Sequence, residues 1–577
     1  MISKKNMNRR NFIFLTAAGS GGFFFPTSPF LNAKEVKAYT KKRIPTKCFS
    51  ADIIIAGGGL GGCAAAIAAC RNGLHVVMTE ETDWIGGQVS QQGVPPDEHP
   101  WIESHGAPAS YREFRSKVRD FYKRNYPLTV EAKNRENLNP GDGSVSRLCH
   151  EPRTAVAVLT EMLLPFISSG KLIILTEHKI IKADVDGDCV KAVEAAHTKT
   201  GDRVVLTAPY FVDATECGDL LPLTGTEYVT GSESQKETRE LHAPEIGNPN
   251  NNQAFTMCFA IDYQPRENHI IDRPQDYAFW KNYIPKMNPP WTGKLLDLKY
   301  PDPGTLKPKN LGFHPEGIKT GEALNLWLYR RIINKNNFIP GNYRGDITVV
   351  NWPQNDYFLG NIIDVSEKEF NKNIEASKQL SLSLLYWLQT EVPRPDGGTG
   401  WPGIRLRNDI MGTDDGLAKY PYIRESRRIK AVFTVLEEHV GAENRKLVAG
   451  EEAGKKAADF YDSVGIGYYH IDLHPTCGGD NYIDFDSLPF QIPLGALLPQ
   501  RMKNLLPANK NIGTTHITNG CYRLHPVEWS IGEAVGSLIA FAQNKKASIR
   551  AVRENRNLLE EFQSWIRRQG IETHWPI

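Results

Sequence analysis

None of the nine cysteines forms a Cys-x-x-Cys pair, which argues against zinc, iron–sulfur and thioredoxin-type sites. They are scattered from Cys48 to Cys521, so a disulfide framework is not expected either. No block of like charge stands out and the net charge is only +2, so nothing recruits nucleic acid or an acidic membrane electrostatically. There is no internal repeat. No apolar run reaches transmembrane length; the most apolar stretch, Phe12 to Phe25, is too short to span a bilayer as a mature helix. With 40% hydrophobic and 23% charged residues, the 577-residue chain is globular rather than disordered. That length corresponds to about three or four domain-equivalents.

Basic residues lie just before the apolar run. Asn8-Arg9-Arg10-Asn11-Phe12-Ile13 resembles a twin-arginine export signal, with an ordinary secretory signal or a disordered tail as the alternatives. Residues 1–47 are therefore expected to be signal and linker, with cleavage near Ala33, and the mature protein to be exported, to the periplasm.

What the chain does have is concentrated in Ala51 to Glu81. Asp52 to Ala56 is a short apolar run that predicts a buried parallel strand. It breaks into Gly57-Gly58-Gly59-Leu60-Gly61-Gly62, and the small residues Cys63 to Cys70 predict a helix packed close to a sheet. Gly73 ends that helix, and Leu74 to Thr79 predicts a second strand ending at Glu80. Gly57 allows the tight turn, Gly59 lets the backbone approach a pyrophosphate, and Gly62 lets helix and strand touch. The helix N-terminus offers free amides, and Glu80, about 20 residues on, can accept from a ribose diol. A glycine-rich turn alone is weak evidence; strand, helix and terminal acid in register make it a dinucleotide site.

Downstream, the loop Asp83 to Gly93 suits a flat ring edge, and residues 94–142 look like an insertion. Arg153 to Leu164 predicts a helix. Ile180 to Val185 and Val190 to His197 flank the turn Asp186-Gly187-Asp188, and with Val204 to Ala208 they predict a β-meander. Tyr210 to Leu220 is a strand ending in an acid and small residues. Residues 227–465 are dense in aromatics, prolines and asparagines; Asn373 to Thr390 and Arg424 to Glu438 carry helical patterns. Arg427-Arg428 suits a solvated helix face or ion pairs. Near the C-terminus, Pro526 fits the first turn of a helix whose Gly532, Ala534 and Gly536 imply close packing.

Four motifs in order carry a family resemblance: the GGGLGG unit ending at Glu80, DWIGGQ from Asp83 to Gln88, FVDATECGDLLPLTG from Phe211 to Gly225, and the GxYRxxP pattern from Gly520 through Gly536. Arg424 to Arg428 and Ile471-Asp472-Leu473-His474 are weaker pieces. Together they make the chain resemble the bacterial FAD-dependent oxidoreductases with a glutathione-reductase-type fold, often exported. The resemblance implies an α/β architecture: a Rossmann-like FAD-binding domain with a β-meander, discontinuous in sequence, plus an α+β substrate domain. The implied division is 48–226 and 466–545 for the FAD domain, 227–465 for the substrate domain, and 546–577 for a helical tail.

It also implies cofactor contacts from Gly57, Gly59, Gly62, Glu80, Gly87 and Gln88, from Asp213 at the ribityl or pyrophosphate region, and from Pro526, whose helix would aim its N-terminus at the flavin N1–C2 carbonyl. A helix N-terminus there stabilises anionic reduced flavin. His516, Tyr522, Arg523 and His525 are catalytic candidates beside the flavin, and His474 and Arg424 from the substrate side. Arg523 alternatively binds FAD, and Tyr522 alternatively belongs to the core. Cys217 has no partner for a redox role; His105 and His150 are conceivable points of covalent attachment. No metal is expected. With no second dinucleotide unit, disulfide-reductase and NADPH-fed monooxygenase architectures are disfavoured. The expected activity is hydride transfer between a small organic substrate (a sugar, polyol or glycan-derived compound) and FAD, with an unidentified electron acceptor. An NAD-linked dehydrogenase and a non-catalytic flavin-binding protein are the alternatives.

Overall fold

The computed structural model describes residues 47–319, 321 and 323–576. The twin-arginine motif and its linker lie outside the described residues. Five parallel strands form one sheet in the order Leu505–Pro507, Tyr210–Asp213, Ile53–Ala56, Val76–Thr79, Leu172–Leu175. Ile53 lies opposite both Val76 and Tyr210, and Phe211 opposite Leu505. The sheet therefore takes one strand from near the end of the chain and pairs it with strands from its first half. A parallel sheet buries both faces, and Ile53, Ile54 and Ile55 are all buried completely, which is why this strand is an unbroken apolar run.

The helix Leu60–Arg71 follows the first of these strands. Its small residues exist because a second helix, His525–Lys545, lies directly on it. A Cβ at Gly532 would sit 2.0 Å from the Gly61 carbonyl oxygen, and one at Gly536 2.3 Å from that of Ala65. Backbones meet without side chains between them. Pro526 occupies the first turn of the second helix, where its missing N–H costs nothing.

A second sheet holds the meander His178–Asp186, Cys189–His197, Arg203–Thr207, closed by Lys47–Ser50 in parallel to the last strand. The central region carries an antiparallel sheet, Arg331–Ile333, Ile347–Val350, Phe259–Tyr263, Ile404–Leu406, beside the 24-residue helix Glu367–Thr390. Ser366 caps that helix by accepting from the Glu369 amide.

One expectation changes. Arg424 to Glu438 is not a helix: it holds the short strand Arg428–Ile429 and only a final turn at Glu437–Val440. Arg424, Glu425 and Arg428 are buried, because each charge finds an internal partner; Arg424 pairs with Asp356, and Arg428 with Glu425 and Glu233. The ion pairs expected at Arg427-Arg428 are present, inside the protein rather than on a solvated helix face. The stretch 94–142 packs into the main core. Its helix Ala109–Asn125 buries Tyr111, Phe114, Val118 and Tyr122 in the same core as the parallel sheet. Among the described residues no helix is long and apolar enough to cross a membrane.

Candidate active site

Two cavities flank the loop that follows Glu80. The first is lined by Gly57, Gly59, Glu80, Lys179, Glu216 and Tyr420 among others, at the C-terminal edge of the parallel sheet. Gly57 holds φ +95°, which turns the chain sharply from strand into helix. Gly59 caps the helix Leu60–Arg71 and no side chain caps it, so the first-turn amides remain available to an anion. Gly62 does not line the cavity; its missing Cβ would fall 2.1 Å from the Gly57 carbonyl oxygen. Glu80 accepts from the Gly58 amide at 3.0 Å and the Thr82 amide at 2.8 Å. Burial pushes its carboxyl up to about 8, with those hydrogen bonds pulling the other way.

Beside the helix N-terminus lies a buried charge cluster. Lys510 reaches Glu216 at 2.5 Å and Glu528 at 3.1 Å. The other Glu216 oxygen has no partner, and it lies 3.0 Å from the Cβ position of Gly59 and 2.7 Å from that of Gly87. Burial lifts the Glu528 carboxyl to about 7 against the pull of Lys510.

The second cavity, of about 170 Å³, is lined by Arg330, Arg424 and Arg523, each paired with an aspartate; Asp97 and Asp472 also line it, and Asp356 lies behind Arg424. Asp97 meets Arg330 at 3.2 Å, Asp356 meets Arg424 at 2.9 Å, and Asp472 meets Arg523 at 2.9 Å. Tyr300, Tyr329, Trp352, Tyr422, Tyr469 and Tyr482 supply aromatic walls. Polar atoms of six lining residues are buried with no protein partner: Arg330 Nε, Asn351 Nδ2, Trp352 Nε1, Arg424 Nε, Tyr482 Oη and Arg523 Nε. Buried donors are normally satisfied, so this concentration marks a place built for a polar ligand.

The 83–93 loop connects the two. Gln91 lines the first cavity, Gln88 donates to the carbonyl of Arg523, which lines the second, and Gln92 accepts from the Ile423 amide. Gln88 Oε1 and Gln92 Nε2 are buried and unpartnered.

The structure brings Gly57, Gly59 and Glu80 to the first cavity, and His474, Arg523 and Arg424 to the second. Other predicted residues go elsewhere. Asp213 spends both oxygens inside its own loop, on the amides of Thr215 and Leu220, and reaches neither cavity. Tyr522 stacks on Phe490 and donates to the Gln491 carbonyl, a core position. His525 accepts from the Asp97 amide, and burial lowers its pKa to about 3. His516 is buried against Glu425 at 2.8 Å. Pro526 and Gly87 line neither cavity, though Gly87 lies against Glu216. His150 is fully buried and bonded to the Glu151 carbonyl, and His105 stacks on Trp101, away from both cavities. Glu216 and Lys510 were missed, as were Asp97, Arg330 and Asp356. Glu216 sat inside a motif already noticed; the other four gave no local signal.

These residues fit FAD. A glycine cradle opens onto helix amides, a buried carboxyl stands where a ribose diol would donate, and unpartnered Gln88, Gln92 and Glu216 atoms run on from it. The FAD dependent oxidoreductase family matches residues 52–565. No curated protein matches the chain. Among solved structures it is similar to the E. coli quinol fumarate reductase subunit FrdA carrying an E245Q mutation, at 13% identity, covering 91% of this chain and 74% of that one, with a TM-score of 0.31. It is also similar to the OxyS anhydrotetracycline hydroxylase of Streptomyces rimosus, at 10% identity, 89% and 65% coverage and a TM-score of 0.30. The glycerol-3-phosphate dehydrogenase of Bacillus halodurans complexed with FAD matches at 12% identity, over 37% of this chain and 40% of that one, with a TM-score of 0.23. The L-proline dehydrogenase of P. horikoshii and an adenosine-5-phosphosulfate reductase are matched over 25% and 31% of their lengths. The family assignment rests on the sequence match over most of the chain.

Proposed function

The chain belongs to the FAD dependent oxidoreductases, and from that premise we propose that it transfers a hydride between FAD and a small hydroxyl-bearing substrate, a sugar, polyol or glycan-derived compound, in the cavity of His474 and Arg523. When bound, FAD supplies the two-electron acceptor. Gly57, Gly59 and the helix amides would hold its pyrophosphate, Glu80 its adenosine ribose, and Gln88 and Glu216 its middle.

One observation carries the substrate class. Each arginine of the cavity is already matched by its own aspartate, so little net positive charge is left for a carboxylate or phosphate. Paired donors and acceptors between aromatic faces suit hydroxyl groups, which both donate and accept, on a ring that stacks. Export through the twin-arginine route agrees with a cofactor loaded before transport, and we include a periplasmic location, and the division into FAD and substrate domains, in the same proposal.

The test is anaerobic. Purified protein should be yellow, with a flavin absorbance spectrum, and should be bleached by members of a panel of D-glucose, myo-inositol, xylitol, D-glucuronate and L-proline. Bleaching by the neutral hydroxylic compounds supports the reading. Bleaching by glucuronate or proline alone overturns the substrate class, and a colourless protein that takes up no FAD overturns the site.

A further inference from the structure

We propose that His474 is the proton acceptor of this cavity, fixed in one tautomer by Asp356 and flanked on its other nitrogen by the Asp472–Arg523 pair, resting on the reading of the cavity as the substrate site. His474 leaves the strand Ile471–Leu473, and its amide donates to Gln253 Oε1, so its backbone is anchored. Its Nδ1 lies 2.6 Å from Asp356 Oδ2. Asp356 is buried, and its other oxygen takes Thr256 Oγ1 at 2.6 Å and Arg424 at 2.9 Å. Burial opposes the charge on Asp356, but Arg424 and His474 outweigh it and hold the carboxyl below its ordinary range. An ionised carboxylate only accepts, so the proton of the short bond belongs to Nδ1. In the neutral ring the lone pair is then on Nε2.

Asp472 Oδ2 stands 3.6 Å from that Nε2 and is itself held by Arg523. Burial opposes its charge too, and His474 and Arg523 keep it ionised. An imidazolium formed at His474 therefore stands between two carboxylates already in place, each with an arginine behind it. Such fixed charges stabilise developing charge without reorganisation. Two protein networks thus converge on one ring that still lines the cavity.

The other titratable groups facing the cavity suit the role less. Tyr422, Tyr469 and Tyr482 are phenols that burial pushes above their ordinary range, so they remain protonated. His470 is turned to Asp484 at 2.6 Å and has that one carboxylate within ion-pair distance, whereas His474 has one at each ring nitrogen. Asp97 faces Arg330, and its amide is given to His525.

The step balances as an alcohol oxidation. FAD, when bound, would supply the acceptor for the hydrogen of the hydroxyl-bearing carbon, taken with both electrons of the C–H bond as a hydride. Its O–H proton passes to His474 Nε2, and a C=O double bond forms. The proton on His474 then returns to solvent.

Two measurements on the FAD-loaded full chain decide the assignment. The first needs no substrate: ¹⁵N-histidine NMR, with His474→Gln identifying the signal by its loss. The neutral ring should carry its proton on Nδ1, and Asp356→Asn should weaken that preference; a neutral ring protonated on Nε2 overturns the proposal. The second is anaerobic bleaching by D-glucose, myo-inositol and xylitol. His474→Gln should slow it by about 100-fold or more, while FAD binding and reduction by dithionite stay at wild-type levels. His474→Asn serves in its place if the glutamine variant loses FAD. Bleaching of His474→Gln at the wild-type rate overturns the proposal. If none of the three compounds bleaches the wild type, the substrate class fails, and the NMR tautomer still decides the role of His474.

Discussion

Around the cofactor cavity the closest approaches are backbone to backbone. Gly61 meets the Ala508 carbonyl, Gly62 that of Gly57, and Gly532 that of Gly61. Around the second cavity they are charged side chain to charged side chain, as in Asp356 with Arg424, or Asp472 with Arg523. A backbone cradle tolerates almost no added volume. A cradle of ion pairs tolerates conservative changes of shape and fails when one charge loses its partner. The two regions should therefore break under different substitutions.

The largest effect is expected at Gly61. A Cβ there would lie 1.6 Å from the Ala508 carbonyl oxygen and 3.2 Å from that of Glu528, so the end of one strand and the start of one helix must both retreat. Gly61→Ala should destabilise in the exceptional range above about 4–5 kcal/mol, and the variant should be recovered without flavin. A folded, yellow variant with a wild-type melting midpoint would show that this contact is looser than a backbone cradle requires.

Next comes the charge cradle. Arg424→Met leaves Asp356 buried without its guanidinium partner, and should cost about 3–5 kcal/mol in denaturant unfolding. Adding Asp356→Asn should restore part of that, because no charge is then stranded. If the double variant is as unstable as the sum of the singles, the pair is not acting as a pair.

This contrast also explains what was legible in the sequence. A cradle of backbone approaches needs glycine at fixed spacing within one short segment, so Gly57, Gly59, Gly62 and Glu80 could be found by eye. The packing of His525–Lys545 on the first helix left a similar trace in Gly532 and Gly536. The second cavity collects Asp97, Arg330, Arg424, Asp472 and Arg523, with Asp356 behind Arg424, from several separate segments of the chain. Nothing in the neighbourhood of Asp97 or Arg330 announces a partner so distant. His474 and Arg523 were found because their types suit proton transfer and substrate orientation; His525 was chosen on the same ground and is a buried hydrogen-bond acceptor. Asp213 sat at the expected strand end, but its oxygens turned inward to brace the loop that carries Glu216. In both cases burial and local partners decided, and neither is written in residue type.

Charge tests the cofactor side directly. Glu80 has its carboxyl raised by burial from 4.5 to about 8 in the folded protein. Between those values the folded state holds a proton that the unfolded state has released, so this group's contribution to stability is complete below about pH 4.5 and is lost as the pH rises to about 8. Asp213 and Glu528, each raised by burial to about 7, act in the same direction. The melting midpoint of the FAD-free protein should therefore fall across this window, and Glu80→Gln should flatten the fall. An unchanged slope would mean that Glu80 is ionised throughout.

The smallest effect is expected at Gly73, where the helix Leu60–Arg71 has ended. It resembles Gly61 in sequence, as one more glycine of the same motif, and differs from it in physics. A Cβ at Gly73 would meet nothing within 4 Å, but the residue holds φ +94°. Only conformation is at stake, so Gly73→Ala should cost about 1–2 kcal/mol and leave FAD content unchanged. Thermal unfolding of Gly61→Ala and Gly73→Ala side by side, with flavin content measured on each, separates the two demands on glycine. If Gly73→Ala also lost its flavin, the turn after the helix would be part of the cradle, and close approach alone would not define it.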